Sequence, residues 1–390
     1  MRRDKKKMNN LVLKENLYLQ AKVALEDYMK ELRKKVHQQR KNNVQKISDQ
    51  VISLDKRSGF LYGKYVNRLV VFMRGTGCSQ IKKNGGCTCC GFYSISNLGV
   101  KIDDDFYIEE IQRIIEDKEN KITDFEIICL YNDGSLLNEE EFSFNILLYM
   151  INALNSIESI KKIVIEAKVN DITEEKLQKI RKTTDKEFEI TIGYESSNEK
   201  VRQLCVNRPF TNKDFEEKIK IAKYYNISIV PLLMVKPAFL SELESIEDFV
   251  ASLSYLEGFD LERIDMELPT VMKDTLNFDL WANRLYKPIT FWSVIEILRQ
   301  RESKGFKTPI YVSPMVYSVA AIDKAGNCEK CSDSVYRLFE TYNKIGDISV
   351  FDNLDCECKQ KWIESLQYTN DIDNLENTVI LTLNKLKDNE

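Results

Sequence analysis

The chain has 390 residues, of which 43% are hydrophobic and 30% are charged, and its formal net charge is −4. This length suits one large barrel or two modest domains, and no apolar run approaches the roughly 20 residues of a membrane helix. No apolar signal core follows the basic N-terminus, so we expect a cytoplasmic protein with no membrane association. The only histidine, His37, lies in a highly charged segment and is expected to be a solvated surface residue. This argues against serine–histidine hydrolysis and against histidine-ligated zinc or iron.

The first predicted element is a helix from Leu11 to about Ile52, with apolar residues at helical spacing. Residues 1–50 carry 14 Lys and Arg against 6 Asp and Glu, a balance of +8, which leaves −12 for the rest of the chain. A basic arm on an acidic body could contact nucleic acid. A helix with a solvated polar face is the alternative interpretation.

Downstream of this helix, apolar strands alternate with amphipathic helices. Helices are predicted at 107–117 and 144–155, and strands at 68–75, 124–135, 161–169, 188–196, 227–237, 263–271 and 308–315. This alternation predicts parallel strands covered by helices. Six or seven units are too many for a simple open sheet and slightly few for a closed eight-fold barrel, so we expect an α/β fold with a partial (β/α) barrel of the TIM type. Its chemistry should lie at the C-terminal ends of the strands.

A cysteine-rich loop follows the first of these strands. The stretch RGTGCSQIKKNGGCTCCGFY contains Cys78-x8-Cys87-x2-Cys90, with Cys89 between the last two. In a reducing compartment such cysteines indicate metal binding or catalysis rather than disulfides. Three thiolates suit a [4Fe–4S] cluster that keeps one iron open, whereas structural zinc commonly takes two paired knuckles and is the alternative. Cys89 could supply a fourth ligand, but adjacent cysteines rarely both reach one metal.

Further motifs accompany this loop in the same order along residues 60–365. They are YNDGSLLNEEE, IGYESSNEKVRQLCVNRPFT, PLLMVKPAFLSE and the pair CEKCSDSV and LDCECKQKW. With them the chain resembles the radical S-adenosylmethionine (SAM) superfamily, in the branch of the Elongator catalytic subunit, and most closely archaeosine synthase of the radical SAM type. That family acts on a lysine-modified deazaguanine in archaeal tRNA.

The resemblance implies an enzyme that reductively cleaves SAM at a [4Fe–4S] cluster to a 5′-deoxyadenosyl radical. This radical would abstract hydrogen from a modified deazaguanine nucleoside and lead to C–N cleavage, with an electron supplied by a reductant such as flavodoxin or ferredoxin. The cofactor carries this chemistry, while the protein positions it and excludes water. The acidic body favours a small or nucleoside-sized substrate over tRNA. A small metabolite of natural-product biosynthesis and, in another class, a zinc-bound scaffold are the alternatives.

The resemblance also assigns cofactor-binding residues. Cys78, Cys87 and Cys90 would hold the cluster. Asp133 and Ser135 of NDGS would bind the SAM amino group, with a plain turn as the alternative. Glu195 of IGYES would accept the ribose hydroxyls and Arg208 of VNRPFT would pair with the SAM carboxylate, with surface ion pairs as the alternative.

A lysine is the predicted catalytic residue. Lys236 follows an apolar run and is costly to bury without a partner, so we expect a SAM or substrate carboxylate beside it, with a snorkelling side chain as the alternative. Glu166 of VIEAKV is a weaker candidate of the same type.

A second cysteine group consists of Cys328-x2-Cys331 and, 24 residues later, Cys356-x-Cys358. Two such knuckles predict one closed tetrahedral site, with zinc as the default metal and a second Fe–S cluster as the alternative. The expected organisation is a basic helical extension over 1–60, a radical SAM partial barrel over 61–320, and a small four-cysteine metal-binding subdomain over 321–390. Cys129 and Cys205 are expected to be core residues.

Overall fold

The computed structural model describes residues 2–40, 52–61, 64–119, 121–315, 319–368 and 374–388. Within these ranges the helices are α1 (Arg2–Arg40), α2 (Gln80–Asn84), α3 (Asp104–Glu116), α4 (Phe144–Asn155), α5 (Glu174–Thr183), α6 (Glu199–Cys205), α7 (Asn212–Tyr224), α8 (Glu242–Leu256), α9 (Leu276–Ala282), α10 (Phe291–Ser303), α11 (Ser332–Ile345), α12 (Cys358–Ser365) and α13 (Leu375–Asp388). The strands are β1 (Ile52–Leu61), β2 (Lys64–Met73), β3 (Ile127–Asn132), β4 (Lys162–Glu166), β5 (Glu187–Glu195), β6 (Ile227–Met234), β7 (Ile264–Glu267), β8 (Val271–Met272), β9 (Ile310–Val312) and β10 (Ala321–Asp323).

In the described part of the chain, the main sheet has eight strands in the order β1-β2-β3-β4-β5-β6-β7-β9. Strands β1 and β2 form an antiparallel hairpin, and each later strand pairs in parallel with its neighbour. The parallel sheet curls into a half-barrel with helices outside, which confirms the predicted partial (β/α) barrel. Strands β8 and β10 form a separate small antiparallel sheet.

The two faces of the barrel strands follow the alternation of the sequence. In β2, Leu69, Val71 and Met73 pack in the core between the sheet and the helices. Val70 belongs to a smaller apolar cluster on the opposite face, and Phe72 on that face lines the central cavity. Successive side chains of a strand point to opposite faces, so one strand supplies both the core and the cavity wall.

A network of buried charges lies on the inner face of the sheet, near the N-terminal ends of the strands. Arg263 donates to both carboxylate oxygens of Glu189 at 2.8 and 2.6 Å, and Lys162 Nζ lies 3.3 Å from Glu189. Arg263 also pairs with Asp265 at 2.7 Å. Burial alone would raise the pKa of Glu189, but Arg263 and Lys162 outweigh it and lower the pKa to about 2.

The N-terminal helix packs on the barrel through one apolar face. Leu25 and Met29 of α1 are fully buried in a core that also contains Leu383 of α13. The described part of the helix ends at Arg40, and the predicted continuation over residues 41–51 lies outside the described residues. Ile52 begins β1, which joins the main sheet. No described helix is both long and apolar enough to cross a bilayer.

The sole histidine, His37, also departs from the expectation of a solvated residue. It is half-buried on α1, and its Nδ1 lies 3.1 Å from the hydroxyl of Tyr93, just beyond the cysteine loop. Cys129 and Cys205 are fully buried, which agrees with their predicted place in the core.

Candidate functional site

A cavity of about 680 Å³ opens at the C-terminal ends of the parallel strands. Its wall combines the cysteine loop with side chains that end β3, β4, β5 and β7, among them Asp133, Glu166, Glu195 and Glu267. Parallel strands place their C-terminal ends at one edge of the sheet, so residues far apart in sequence meet there. This is the edge at which the sequence predicts the chemistry.

The cysteine loop begins directly after β2 and forms one side of the cavity. Cys78, Cys87, Cys89 and Cys90 all line it and all are half-buried. Burial raises the pKa of the Cys78 thiol to about 12, with Lys168 acting in the opposite direction. Burial likewise raises the pKa of Cys90, and the charge of Arg33 opposes it. Thiols in such surroundings ionise when a metal takes the proton's place.

The VNRPF segment holds one flank of this loop. Asn207 donates from Nδ2 to the carbonyls of Asn84 and Gly86, both at 2.8 Å. The Thr88 hydroxyl donates to the Cys205 carbonyl at 2.7 Å. These bonds bring Arg208, the neighbour of Asn207, to the same cavity wall as the cysteines.

Two residues that the sequence interpretation missed hold the other flank. Glu141 accepts from the backbone N–H groups of Ser79 and Ser135, each at 2.7 Å. Lys168 pairs with Glu141, donates to the Ser79 hydroxyl at 3.0 Å, and lies 3.9 Å from the Cys78 sulfur. Lys168 could have been predicted from its position two residues after the end of β4. The sequence does not indicate a role for Glu141, because an acidic residue in a turn is usually solvated.

The NDGS turn after β3 presents unpaired polar atoms to the cavity. Asp133 accepts from the Gly75 N–H through Oδ2 at 3.1 Å, while its Oδ1 is buried without a hydrogen-bond partner among the described residues. Asn132 Nδ2 is likewise buried without a hydrogen-bond partner among the described residues. Burial raises the pKa of Asp133 to about 7. Ser135 is fully buried and is not among the cavity-lining residues, because its hydroxyl accepts from the backbone N–H of Lys168 at 3.2 Å.

An ion pair joins the two other predicted SAM-binding residues. Arg208 Nε lies 2.9 Å from Glu195 Oε1, and both line the cavity. Burial raises the pKa of Glu195, and Arg208 opposes this rise. Glu166 also lines the cavity, and burial raises its pKa to about 7, with Arg208 again opposing. One guanidinium therefore faces two carboxylates.

Lys236, the predicted catalytic residue, lies outside the cavity lining. It is 7% exposed, and its Nζ lies 3.3 Å from Glu242 Oε2 and 5.7 Å from the centre of the Tyr286 ring. The protein itself thus supplies the carboxylate that the lysine was expected to find on SAM or substrate. Lys236 is thus not a cavity-lining residue, and its catalytic role stays a prediction.

The second cysteine group forms a compact set away from the cavity. Cys328 Sγ lies 3.7 Å from Cys331 and 3.5 Å from Cys356, and Cys331 lies 3.6 Å from Cys358. Four thiolates at 2.3 Å from one tetrahedral zinc would be separated by about 3.8 Å. Trp292 of α10 donates from Nε1 to Cys358 Sγ at 3.2 Å. The spacing fits a single metal ion.

The cysteines of the N-terminal loop are arranged differently. The donor atoms of the four C-terminal cysteines all lie within 4.8 Å of one another. Within the described ranges, no other group of three or more candidate ligands is this compact. Cys78, Cys87 and Cys90 line the cavity and do not form such a group, so at least two of their sulfurs are more than 4.8 Å apart. That suits a cluster, which places each thiolate on a different iron. The orphaned Asp133 Oδ1 and the Arg208 guanidinium then fit the ammonium and carboxylate of SAM.

The half-barrel with this cysteine loop at its C-terminal edge is the arrangement expected of a radical SAM enzyme. No family model matches the chain. It is 31% identical over 309 residues to archaeosine synthase subunit beta of Methanosarcina acetivorans, an overlap of 78% of this chain and 86% of that protein. The protein of the same name from Thermococcus kodakarensis is 25% identical, over 77% of this chain and 92% of its own length. The chain belongs to the archaeosine synthase subunit beta family.

Among solved structures, the Elp3 protein of Methanocaldococcus infernus is similar with a TM-score of 0.42 and 15% identity. The similarity covers 61% of this chain and 57% of that one. The resemblance to archaeosine synthase, indicated by the sequence motifs, is confirmed by the identity to its beta subunit.

Proposed function

We propose that this enzyme acts on a modified deazaguanine nucleoside, free or within RNA, and that it cleaves a C–N bond of the modification by radical chemistry. The observation that carries this proposal is the 31% identity over 309 residues to a protein named archaeosine synthase subunit beta. The overlap spans 78% of this chain and 86% of that protein, so it is not limited to one motif.

The cavity residues have distinct roles in this proposal. Cys78, Cys87 and Cys90 hold the [4Fe–4S] cluster, and the Asp133 carboxylate accepts from the SAM ammonium. Arg208 pairs with the SAM carboxylate, and Glu195 orients Arg208 and accepts from the ribose. When bound, the cluster and SAM supply a carbon-centred radical that removes a hydrogen atom from the substrate. The electron comes from a reductant such as flavodoxin or ferredoxin.

Other cavity-lining residues are left for the substrate. Glu267 accepts from the Ser313 hydroxyl at 2.5 Å, and Tyr131, Tyr311 and Thr270 also line the cavity. Carboxylate and hydroxyl groups can bind the amino groups of a deazaguanine and of its amino-acid substituent. The walls of the half-barrel keep the reacting atoms away from bulk water.

Anaerobic turnover tests the proposal. The protein, reconstituted with iron and sulfide, would be incubated with SAM, dithionite and tRNA bearing the lysine-modified deazaguanine. Mass spectrometry of nuclease digests should show loss of the modification together with 5′-deoxyadenosine and methionine. Unmodified tRNA is the control for substrate-independent SAM cleavage, and the free modified nucleoside tests whether RNA is required. SAM cleavage with an unchanged modified nucleoside in both forms would refute the proposed substrate.

We also propose that the four C-terminal cysteines bind one structural zinc ion that stabilises the subdomain of residues 321–390. The short distances between their sulfurs support a single metal over a second cluster. Their position supports it too, since none of the four lines the cavity. Phe339 of α11 packs against Phe291 of α10, with ring centres 5.3 Å apart, so the metal would fix a hydrophobic contact with the barrel.

A further inference from the structure

Arg33 connects the N-terminal helix to the cysteine loop. The side chain lies on the inner face of α1 and is 3% exposed. Its Nη2 donates to the carbonyl oxygens of Cys87 and Cys90, both at 3.0 Å. Nε donates to the Gly85 carbonyl at 3.1 Å, and Nη1 to the Asp274 carbonyl at 2.7 Å. One planar guanidinium thus fixes both ends of the Gly85–Cys90 segment.

The charge of Arg33 has no carboxylate partner. Every hydrogen bond that its guanidinium makes in the described part of the chain goes to a backbone carbonyl, and no aspartate or glutamate there forms an ion pair with it. A buried cation is costly unless an anion lies nearby. A cluster held by three thiolates is negatively charged, and two of those thiolates belong to residues whose carbonyls Arg33 contacts. The cluster would be the missing anion.

A glycine allows this close approach. Gly85 ends α2 with φ of 84° and lies directly against α1. A Cβ added at Gly85 would be 2.5 Å from Met29 Cβ and 2.7 Å from the backbone nitrogen of Lys30. The backbones of the loop and of α1 are in contact, with no space for a side chain between them.

We propose that Arg33 is a positioning residue for the iron–sulfur cluster. It fixes the backbone of two ligand cysteines and supplies the buried positive charge that balances the cluster. The N-terminal helix, which the sequence indicates as a basic extension, is in this proposal a structural part of the cofactor site. The inference rests on the proposed cluster in this loop and is independent of the substrate.

Variants of Arg33 test the proposal. Arg33→Gln removes the charge, and Arg33→Lys keeps the charge but loses the planar fork. After anaerobic reconstitution, both should release iron to a chelator at least tenfold faster than the wild type. A redox titration followed by electron paramagnetic resonance should give a more negative midpoint potential for Arg33→Gln and a potential closer to the wild type for Arg33→Lys. Lys34→Gln, at an exposed neighbouring position on α1, is the matched control and should change neither quantity.

Two glycine variants and the wild-type protein provide independent tests. Gly85→Ala should also accelerate iron release, whereas Gly305→Ala, at a φ of 70° with no atom within 4 Å of the added Cβ, should not. In the wild type, loading the cluster should slow amide hydrogen exchange in residues 28–36 of α1. Unchanged exchange there, or wild-type potential and iron release in Arg33→Gln, would overturn the proposal. Wild-type protein that binds no iron would instead refute the cluster itself.

Discussion

Glu195 and Arg208 are 13 positions apart in sequence and form an ion pair of 2.9 Å at the wall of the cavity. Gly193 lies directly beneath them, because a Cβ at that position would be 2.5 Å from Arg208 Cζ and 2.6 Å from Glu195 Oε1. A side chain at position 193 would therefore displace the pair. The pair presents one guanidinium to the cavity beside the cysteine loop, in a place suited to an anionic group of SAM.

Removal of either partner should weaken SAM binding. Arg208→Ala removes the proposed partner of the SAM carboxylate, and Glu195→Ala removes the carboxylate that lies 2.9 Å from the guanidinium. We expect an affinity loss of about tenfold or more in each, measured by anaerobic titration calorimetry, with normal iron content. Gly193→Ala should have the same effect by displacing the pair. Gly258→Ala is its control, since the added Cβ would make an ordinary contact at 3.6 Å. Wild-type SAM affinity in both charge variants would contradict the assigned roles.

Individual cysteine variants should separate cluster ligands from bystanders. Cys78→Ala, Cys87→Ala and Cys90→Ala should each lose the broad visible absorption and the roughly four irons of a cubane cluster. Cys89→Ala should keep both, because three thiolates already complete the site. Iron analysis and absorption spectra of anaerobically reconstituted proteins give the answer. The assignment is wrong if Cys89→Ala loses the cluster and Cys90→Ala retains it.

The four-cysteine site should contain one zinc ion. Metal analysis of the wild type should give one zinc in addition to the cluster iron, and Cys331→Ser should remove the zinc and lower the unfolding temperature. Trp292→Phe removes the N–H that bonds Cys358 Sγ and should weaken zinc affinity by roughly 10- to 100-fold without abolishing it. Trp281→Phe, which loses a 2.8 Å bond to Asp323 instead, is the control. Additional iron at this site in place of zinc would show a second cluster.

The charge network at the closed end of the barrel should make stability depend on acid pH. The pKa of Glu189 is about 2 in the folded protein and about 4.3 when unfolded. Its stabilising contribution is therefore present above the unfolded value and is lost as the pH falls toward 2. Urea unfolding at several pH values should show a smaller loss of stability on acidification for Glu189→Gln than for the wild type. Glu217→Gln, at an exposed position, should retain the wild-type slope.

The residues that the sequence could indicate are those placed by strand ends. Asp133, Glu166 and Glu195 each follow or end a strand, and parallel pairing alone brings them to one edge together with the loop after β2. The period of the apolar residues therefore predicts the half-barrel and the edge that carries the chemistry, whereas the resemblance to radical SAM enzymes implies which residues bind the cofactor. It cannot predict where β1 begins, because ISLDKRSGFL mixes charges with only weak alternation.

The residues that the sequence could not indicate depend on contacts between distant segments. Arg33 belongs to a basic helix, and its role is visible only from the carbonyls of Cys87 and Cys90. Lys236 was expected beside a SAM or substrate carboxylate because it follows an apolar run, and its Nζ lies 3.3 Å from Glu242 at the start of α8. An unpaired charge at a strand end predicts that a partner exists, and only the packing shows which group it is.

The role of Arg33 changes how tRNA binding by the basic N-terminus must be tested. Deleting residues 1–50 would remove Arg33 and, by the argument above, disturb the cluster. Residues 1–14 carry six Lys and Arg against one Asp, all of which precede Arg33. Replacing Arg2, Arg3, Lys5, Lys6, Lys7 and Lys14 by Gln therefore removes most of the excess charge and keeps the chain length.

If these side chains contact phosphates, the variant should bind tRNA less tightly and with a weaker salt dependence. Each contact that is lost should lower the slope of log K against log salt by about one, because fewer counterions are released. Iron content, SAM affinity and turnover of the free modified nucleoside should remain at wild-type values. Filter binding at several salt concentrations measures the slope, and a variant with Glu217 and Glu247 replaced by Gln controls for nonspecific charge effects. Unchanged tRNA affinity and slope in the six-residue variant would contradict the prediction and place the RNA contacts elsewhere on the protein. Because the rest of the chain has a net negative charge, those contacts would then require a local cluster of basic residues.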